Sequence, residues 1–283
     1  MFFGLLEGPH VELEVVGVGA WCERAASWHA LAGNLRRDQL DSDEPSPNAH
    51  FAELIPARER RRAPLHVKIA VEVAGQAVSA AGVDAANVPS VFASGMADVK
   101  TTDTICRALA QQSKIVSPTN FHNSVHNAAS GYWSIAATCR EKSSAVSGFK
   151  HSAGTALLEA AVLCVTEMVP VLLVCSDIAT EPPLDAICPV GGAFAAALVL
   201  RSPIRCGRPD LRLDVRSGCE HDAVDRGDAL ALGVAGNPSA AILPLLKRLA
   251  GNGPGQVNLN LGQNSSLVVE VLRTAPSARS ESE

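Results

Sequence analysis

The sequence has few aromatic residues and no excess of positive charge. Aromatic residues make up 4% of the 283 residues, and 24 Lys and Arg stand against 29 Asp and Glu. A formal net charge of −5 gives no general attraction to a phosphate backbone, and few rings are available to stack on bases. We therefore expect no nucleic-acid partner.

The usual signals of a metal centre, a secreted domain or a membrane protein are also lacking. The 8 cysteines form no Cys-x-x-Cys pair and no zinc-type spacing with histidine, so we expect no metal and reduced, buried cysteines. Residues 1–10 have no basic leader and include Glu7, which does not predict a signal peptide. The longest apolar stretch, 160–175, contains Glu167 and Pro170, so no membrane span is expected. A cytoplasmic location is the default expectation.

Hydrophobic residues are abundant, at 47% against 19% charged residues, which is enough for a large core. Apolar runs that read as strands alternate with stretches of helical spacing. Strands are predicted at 11–19, 88–94, 143–148, 170–176, 191–200 and 211–215, with a hairpin over 257–272. Helices are predicted at 22–37, 65–81, 102–112, 128–139, 152–165 and 239–250, with loops at 38–50 and 118–126. Because several strands are apolar on both faces, the pattern predicts an α/β fold with a sheet between helical layers.

Four segments together resemble the β-ketoacyl synthase family in their order and spacing. They are Ile55–Arg62 (IPARERRR), Val91–Met96 (VFASGM), 117–136 (SPTNFHNSVHNAASGYWSIA) and Leu259–Val268 (LNLGQNSSLV). The third is most similar to divergent ketosynthase-like proteins of aryl-polyene (xanthomonadin-type) pigment clusters, where an active ketosynthase pairs with a smaller, chain-length-factor-like relative. The resemblance implies an α/β, thiolase-like layered α/β/α/β/α fold with a complete first half and a shortened second half.

The resemblance also implies how the chain is organised. A single thiolase-like domain is expected over 1–272, with the ketosynthase-like first half at 1–200 and the reduced second half at 201–272. Residues 273–283 carry little apolar surface and are expected to form a flexible tail.

The nucleophile of the family is missing from its expected position. Ketosynthases carry the acyl chain on a cysteine in a Thr-Ala-Cys turn before an alanine-rich helix, where a thiolate is readily available. Gapless alignment puts Gly148, Phe149 and Lys150 on those three positions, so Lys150 replaces the cysteine. The two histidines of the family's His-Gly-Thr and Gly-His motifs, which stabilise the oxyanion, are absent, and only His221 follows His151.

A catalytically silent subunit without a cofactor is therefore what the resemblance implies. It would pair with an active ketosynthase and meet the acyl carrier protein, either directly or through that partner. Bulky side chains, Phe121 and Tyr132 in particular, would close off the partner's acyl tunnel. The expected pocket or dimer-interface residues are Phe121, His122, Asn123, Ser124, His126, Tyr132 and Phe149.

Other interpretations of single residues stay open. Cys139 or Ser152 could be the relocated nucleophile of a divergent condensing enzyme or acyltransferase. A homodimeric scaffold could bind an acidic carrier protein through Arg58–Arg62. Lys150 is interpreted as a lysine at the mouth of a vestigial pocket in preference to a Schiff-base lysine, and Asp177 as the cap of a turn. Ser124 and His126, on an expected extended segment, lack an acidic third member for a catalytic triad.

Overall fold

The structure is a computed structural model that describes residues 10–37, 52–203, 208–251 and 253–273. The predicted loop at 38–50, nearly all of the predicted tail and the apolar N-terminal residues 1–9 lie outside the described residues.

The described residues form one hydrogen-bonded sheet of eight strands in the order β3-β2-β4-β5-β1-β6-β8-β7. Strand β2 is parallel to β3 and β4, and all other neighbours are antiparallel. The strands are β1 Val11–Cys22, β2 Ser90–Ala93, β3 Ser143–Val146, β4 Val171–Asp177, β5 Phe194–Arg201, β6 Leu211–Ser217, β7 Gly255–Gly262 and β8 Ser265–Val271.

Helices follow most of the predicted periodic segments. They are α1 Trp28–Arg37, α2 Ala57–Arg60, α3 Leu65–Ala81, α4 Val99–Ala110, α5 Pro118–Asn123, α6 Ala128–Ala136, α7 Ser152–Glu167, α8 Arg226–Ala231 and α9 Leu243–Leu249. The ends of α3 illustrate the sequence signals, because Pro64 precedes its first turn and Gly82 ends it with φ +64°.

The sheet has two parts that enclose α7. The start of β1 pairs with β6 and the rest of β1 pairs with β5, so β1 joins the two parts. Alternate residues of β4 and β5 pack with α7, α9 and the second part of the sheet, and the others pack against α3 and α6. The first part of the sheet is thus buried on both faces, as its apolar strands predict.

Small residues on β1 let α3 approach the sheet closely. A Cβ atom on Gly17 would lie 2.1 Å from the Ala77 carbonyl oxygen, and one on Gly19 would lie 2.1 Å from the Val73 carbonyl oxygen. The backbone of α3 therefore rests directly on β1, which fixes the outer helical layer.

Among the described residues, helices cover the second part of the sheet on one face only. Leu213, Leu259 and Val269 are buried toward α7 and α9, whereas Arg212, Asn258 and Glu270 lie on the outer face. Among the described residues the outer face is crossed by the connecting segment 219–222, which bonds to Ser266 and Asn258, and not by a helix. The described residues thus form the expected α/β fold, with a sheet packed between helical layers.

Three predicted elements differ from the observed ones. The helix predicted at 22–37 begins at Trp28, because Cys22 still pairs with Phe194 in the sheet. Residues 118–123 of the predicted loop form helix α5, because Pro118 at its first position is a favourable helix start, and residues 124–126 are a turn and not an extended segment. The helix predicted from 239 begins as a 3₁₀ turn, Pro238–Ile242, and becomes α-helical at Leu243.

Candidate functional site

A sharp turn joins β3 to α7 and carries Lys150, the residue that the sequence resemblance aligns with the family nucleophile. Phe149 has φ +52°, a left-handed conformation that is uncommon for a residue with a bulky side chain. Phe149–His151 form a 3₁₀ turn that leads into α7 at Ser152. Lys150 is exposed at this turn, and its Nζ lies 5.8 Å from the centre of the Phe149 ring. A tight strand-to-helix turn thus carries an ammonium group at its tip.

Ser152 holds this turn in place. Its Oγ accepts a hydrogen bond from the Gly148 N–H at 2.9 Å and lies 2.8 Å from the Phe149 carbonyl oxygen. The side chain is 1% exposed. The Ser152 hydroxyl is buried and hydrogen-bonds to the backbone both as acceptor and as donor, so it stabilises the turn. This geometry does not support Ser152 as a relocated nucleophile.

Cys139 lies at the opposite end of β3 from Lys150. It precedes the strand, is 7% exposed, and its Sγ lies 3.5 Å from the Val88 carbonyl oxygen. A nucleophile there would be separated from the turn by the full length of the strand. The position does not favour Cys139 as the acyl-carrying residue.

The remaining cysteines divide into inert and accessible groups. Burial raises the pKa of the Cys175 thiol to about 12, and burial also raises the pKa of Cys22 and of Cys164. Contrary to the expectation that the cysteines are buried, Cys106 is exposed on α4, and two further cysteines, Cys188 and Cys219, are only half-buried.

A cleft separates Lys150 from the connecting segment of the second half. It has a volume of about 190 Å³, and its lining includes Lys150, His221, Val224, Ala240 and Leu259. A neighbouring polar cavity of about 340 Å³ is lined by His151, Cys219 and the β7–β8 turn. The structure thus brings His221 to the same cleft as Lys150, which the sequence spacing could not predict.

No group of side chains suited to a metal ion accompanies this cleft in the described ranges, and His151 and His221 both line the neighbouring cavity. The described ranges contain no group of three or more His, Cys, Asp or Glu side chains suited to a metal ion. His151 packs its ring against Gly262, and its Nδ1 is buried with no hydrogen-bond partner among the described residues.

Asp177 is the centre of a buried hydrogen-bond network next to the turn. Its Oδ1 accepts from Ser94 Oγ at 2.7 Å and Met96 N at 3.0 Å, and its Oδ2 accepts from Gly95 N at 2.9 Å and Ser239 Oγ at 2.6 Å. The side chain is 1% exposed. Asp177 caps the turn after β2, as the sequence predicts. It also ties this turn to the 3₁₀ turn of the second half.

Two histidines flank the Asp177 network. His66 Nε2 lies 3.2 Å from the Ser176 carbonyl oxygen and 3.1 Å from the Ser176 hydroxyl. Burial lowers the pKa of His66, although the charges of Asp177 and Asp98 act to raise it. His126 Nε2 lies 3.2 Å from the Ser94 carbonyl oxygen. Both rings therefore contact backbone carbonyl oxygens inside the fold.

The predicted interface residues on α5 and α6 separate into buried and exposed ones. Tyr132 is 5% exposed, burial raises its pKa, and its hydroxyl donates to Asn123 Oδ1 at 3.2 Å. His122 packs edge-on to the Tyr132 ring at 5.9 Å. Phe121 is 69% exposed. Of the two bulky residues expected to reach a partner, Phe121 is therefore the one that faces outward.

Ser124 and His126 do not face each other. Ser124 Oγ donates to the Phe121 carbonyl oxygen at 2.9 Å, whereas the His126 ring turns to Ser94. Because Ser124 directly follows α5, the same-side geometry expected of an extended strand does not arise. The pair serves local backbone contacts.

Strand β3 leaves one edge of the sheet open. Its other edge pairs with β2, where the Lys142 and Val146 carbonyls accept from Ser90 N at 2.9 Å and Ser94 N at 3.2 Å. Because hydrogen-bonding direction alternates along a strand, Ser143 and Ala145 direct their backbone groups away from β2. Six exposed apolar side chains lie near β3 in the chain or on successive helices: Phe149 shortly follows β3, Ile135 lies on α6, which contacts β3, and Leu109, Ile115, Phe121 and Val125 lie on, or a few residues after, α4 and α5. We call the open edge of β3 and these six side chains the β3 surface.

Arginines lie next to α5. Arg58, Arg61 and Arg62 are exposed, and the Arg62 carbonyl oxygen accepts from Asn123 Nδ2 at 3.0 Å. This basic segment therefore adjoins the helix that carries Phe121.

Residues 28–232 match the family model described as "Beta-ketoacyl synthase, N-terminal domain". The chain belongs to this family. Among curated proteins no match was found. No helix of the described residues is long and apolar enough to cross a bilayer.

Several solved structures share the fold. One is a chain from the complex of the ketosynthase ApeO with its chain length factor ApeC, from Xenorhabdus doucetiae. It is 21% identical with a TM-score of 0.68, and the match covers 92% of this chain and 99% of that one. A type II PKS acyl-carrier protein complex with its ketosynthase (AntDE:AntF) gives 12% identity, a TM-score of 0.69 and coverages of 95% and 100%. The ishigamide ketosynthase/chain length factor is 12% identical with a TM-score of 0.66, and the match covers 93% of this chain and 100% of that one. At these identities the similarity shows the fold.

Proposed function

We propose that this chain is a catalytically silent, chain-length-factor-like subunit that pairs with an active β-ketoacyl-ACP synthase. It acts as one domain over 1–272 and shapes the acyl pocket of its partner. The partner carries out acyl transfer and condensation on carrier-bound chains in the cytoplasm. The pathway class is type II polyketide or fatty-acid-like biosynthesis of the aryl-polyene kind.

Strand β3 carries the proposal. An open strand edge bordered by exposed apolar side chains is suited to strand addition by another chain, which would continue the sheet across the interface. The same strand leads directly to Lys150, which has no thiol to carry an acyl chain. Strand β3 therefore offers an edge to a partner chain and leads to a residue that cannot form the acyl thioester.

Phe121 is the side chain we assign to the partner's pocket. It is 69% exposed on α5, and burying one such ring at an interface is worth about 1.5–3 kcal/mol. Tyr132, held inside the chain by Asn123, supports α5 from beneath.

The experiment is native co-purification from the host followed by intact-mass analysis of each subunit. We expect a stoichiometric complex with a full-length ketosynthase that itself carries the acyl adduct. A homodimer with an acyl mass on this chain would overturn the proposal. So would condensation of malonyl and acyl carrier proteins by the purified chain alone.

Two substitutions test the β3 surface directly. Ala145→Pro removes an outward N–H without touching the bonds to β2, and Phe121→Asp places a charge in the apolar patch. Each is expected to weaken the complex about tenfold or more, the equivalent of one interface hydrogen bond or buried side chain. Val215→Asp is the control, because Val215 is an exposed apolar residue, 50% accessible, on β6. Unchanged affinity in both test variants would refute this interface.

A homodimeric scaffold for acyl carrier protein is the second candidate, favoured by the exposed arginines next to α5. A cationic patch would attract an acidic carrier in a salt-dependent way. Arg61→Glu combined with Arg62→Glu should abolish carrier binding measured by titration calorimetry, whereas Arg226→Glu on α8 should not. A homodimer that binds the carrier with no ketosynthase present would favour this candidate over the first.

A further inference from the structure

We propose that the cleft between Lys150 and His221 binds a small aliphatic carboxylate. This inference concerns a ligand site on the chain itself, and it does not depend on whether the chain pairs with a ketosynthase.

The floor of the cleft is apolar. Ala223, Val224, Val234, Pro238, Ala240, Ala241 and Leu259 line it. Val234, Ala240 and Leu259 belong to the buried core, so the floor is rigid. Such a surface favours a hydrocarbon chain over a polar ligand.

Most polar groups of the lining are already engaged by the protein. Asp222 Oδ2 accepts from Asn258 N at 2.7 Å. Asn237 Nδ2 donates to the carbonyl oxygens of Asp177 and Gly192, at 3.1 Å and 2.8 Å. Asn260 Oδ1 accepts from Gly262 N at 2.7 Å. These side chains therefore offer little to an incoming ligand.

Lys150 and His221 are the basic side chains of the lining. No carboxylate of the described residues lies within ion-pair distance of Lys150 Nζ, and the one acidic residue of the cleft, Asp222, is bonded to β7. An ammonium group beside an apolar floor selects a ligand with one negative end and one hydrocarbon end.

The volume limits the length of the hydrocarbon. The cleft measures about 190 Å³, and a cavity of about 150 Å³ holds a benzene molecule. A straight carboxylate of roughly six to eight carbons therefore fills the space. Acetate would leave it largely empty.

The experiment is calorimetric or ligand-observed NMR titration of the full chain with the series from acetate to decanoate, at low salt. Affinity should rise about threefold for each added methylene, and this gain should stop near octanoate. Octanol, which has the chain without the charge, should bind at least about tenfold more weakly than octanoate.

Variants separate this site from non-specific binding. Lys150→Gln should weaken octanoate binding about tenfold, whereas Lys142→Gln, at the other end of β3, should leave the affinity unchanged. Ala241→Leu should narrow the cleft and shift the preference toward shorter acids. Affinity that keeps rising through decanoate, equal binding of octanol, or unchanged binding by Lys150→Gln would each overturn the proposal. Loss of ketosynthase pairing in the co-purification would leave this result unaffected.

Discussion

Asp177→Asn gives a sharp test of the network that joins the two halves of the fold. Each carboxylate oxygen accepts one hydroxyl and one backbone N–H: Ser94 and Met96 on one side, Ser239 and Gly95 on the other. An asparagine supplies one oxygen and one NH₂ group. In either orientation of the amide, the NH₂ group replaces an oxygen that accepted one hydroxyl and one backbone N–H. The hydroxyl can rotate and accept from the NH₂ group, but the backbone N–H is left facing another donor.

The expected loss follows from these bonds. An unsatisfied buried donor costs about 1–3 kcal/mol, and hydrogen bonds to a charged group are worth about 1.5–3 kcal/mol. Together they predict a fall of about 2.5–6 kcal/mol in the free energy of unfolding. For domains of about 150–250 residues this corresponds to roughly 5–25 °C in Tm.

Chemical denaturation and calorimetry of the purified chain measure this change. Asp185→Asn is the matched control, because Asp185 is an exposed carboxylate on the loop after β4, and we expect its Tm to stay within about 1 °C of the parent. If Asp177→Asn were as stable as Asp185→Asn, the carboxylate would not join the two halves and the reasoning would fail.

Three further predictions address packing, pH and thiol reactivity. Gly17→Ala should destabilise the fold by about 1–3 kcal/mol in urea unfolding, because its Cβ meets the backbone of α3. Gly33→Ala in α1, with nothing within 4 Å, should instead stabilise it by about 0.5–1 kcal/mol. Burial lowers the pKa of His66 in the folded state below that of a histidine in the unfolded chain. As the pH drops below about 6.5, the unfolded chain therefore binds this proton more readily than the folded chain, and the free energy of unfolding should fall. His66→Gln should flatten that part of the pH profile. Iodoacetamide on the native chain, read by mass mapping, should modify Cys106 and spare Cys175.

Local signals in the sequence predicted most of the elements. The Pro64 and Gly82 punctuation of α3 and the glycine- and asparagine-containing turn between β7 and β8 are examples. In that turn Gln263 and Asn264 have φ +47° and +62°, which suits a two-residue hairpin. Helix α5 was missed because its polar residues favoured a loop, although a proline at the first position is itself a helix signal.

The candidate site was only partly predictable. Gapless alignment predicts Lys150 at the position of the nucleophile, and this assignment stays a prediction; the structure places Lys150 at the turn between β3 and α7. The cleft shared with His221 depends on how the segment after β6 crosses the second part of the sheet, and no local pattern encodes that path. Similarly, Asp177 could be predicted as a cap, but its bond to Ser239 joins residues 62 positions apart.

The open edge of β3 also affects a copy of the chain that has no partner. Unpaired backbone groups next to exposed apolar side chains favour self-association and recognition by chaperones and proteases. The strand spans only Ser143–Val146 and begins with two serines, which limits how far a wrong pairing could extend. We therefore expect the abundance of this chain in its host to follow the supply of its partner, with surplus copies removed.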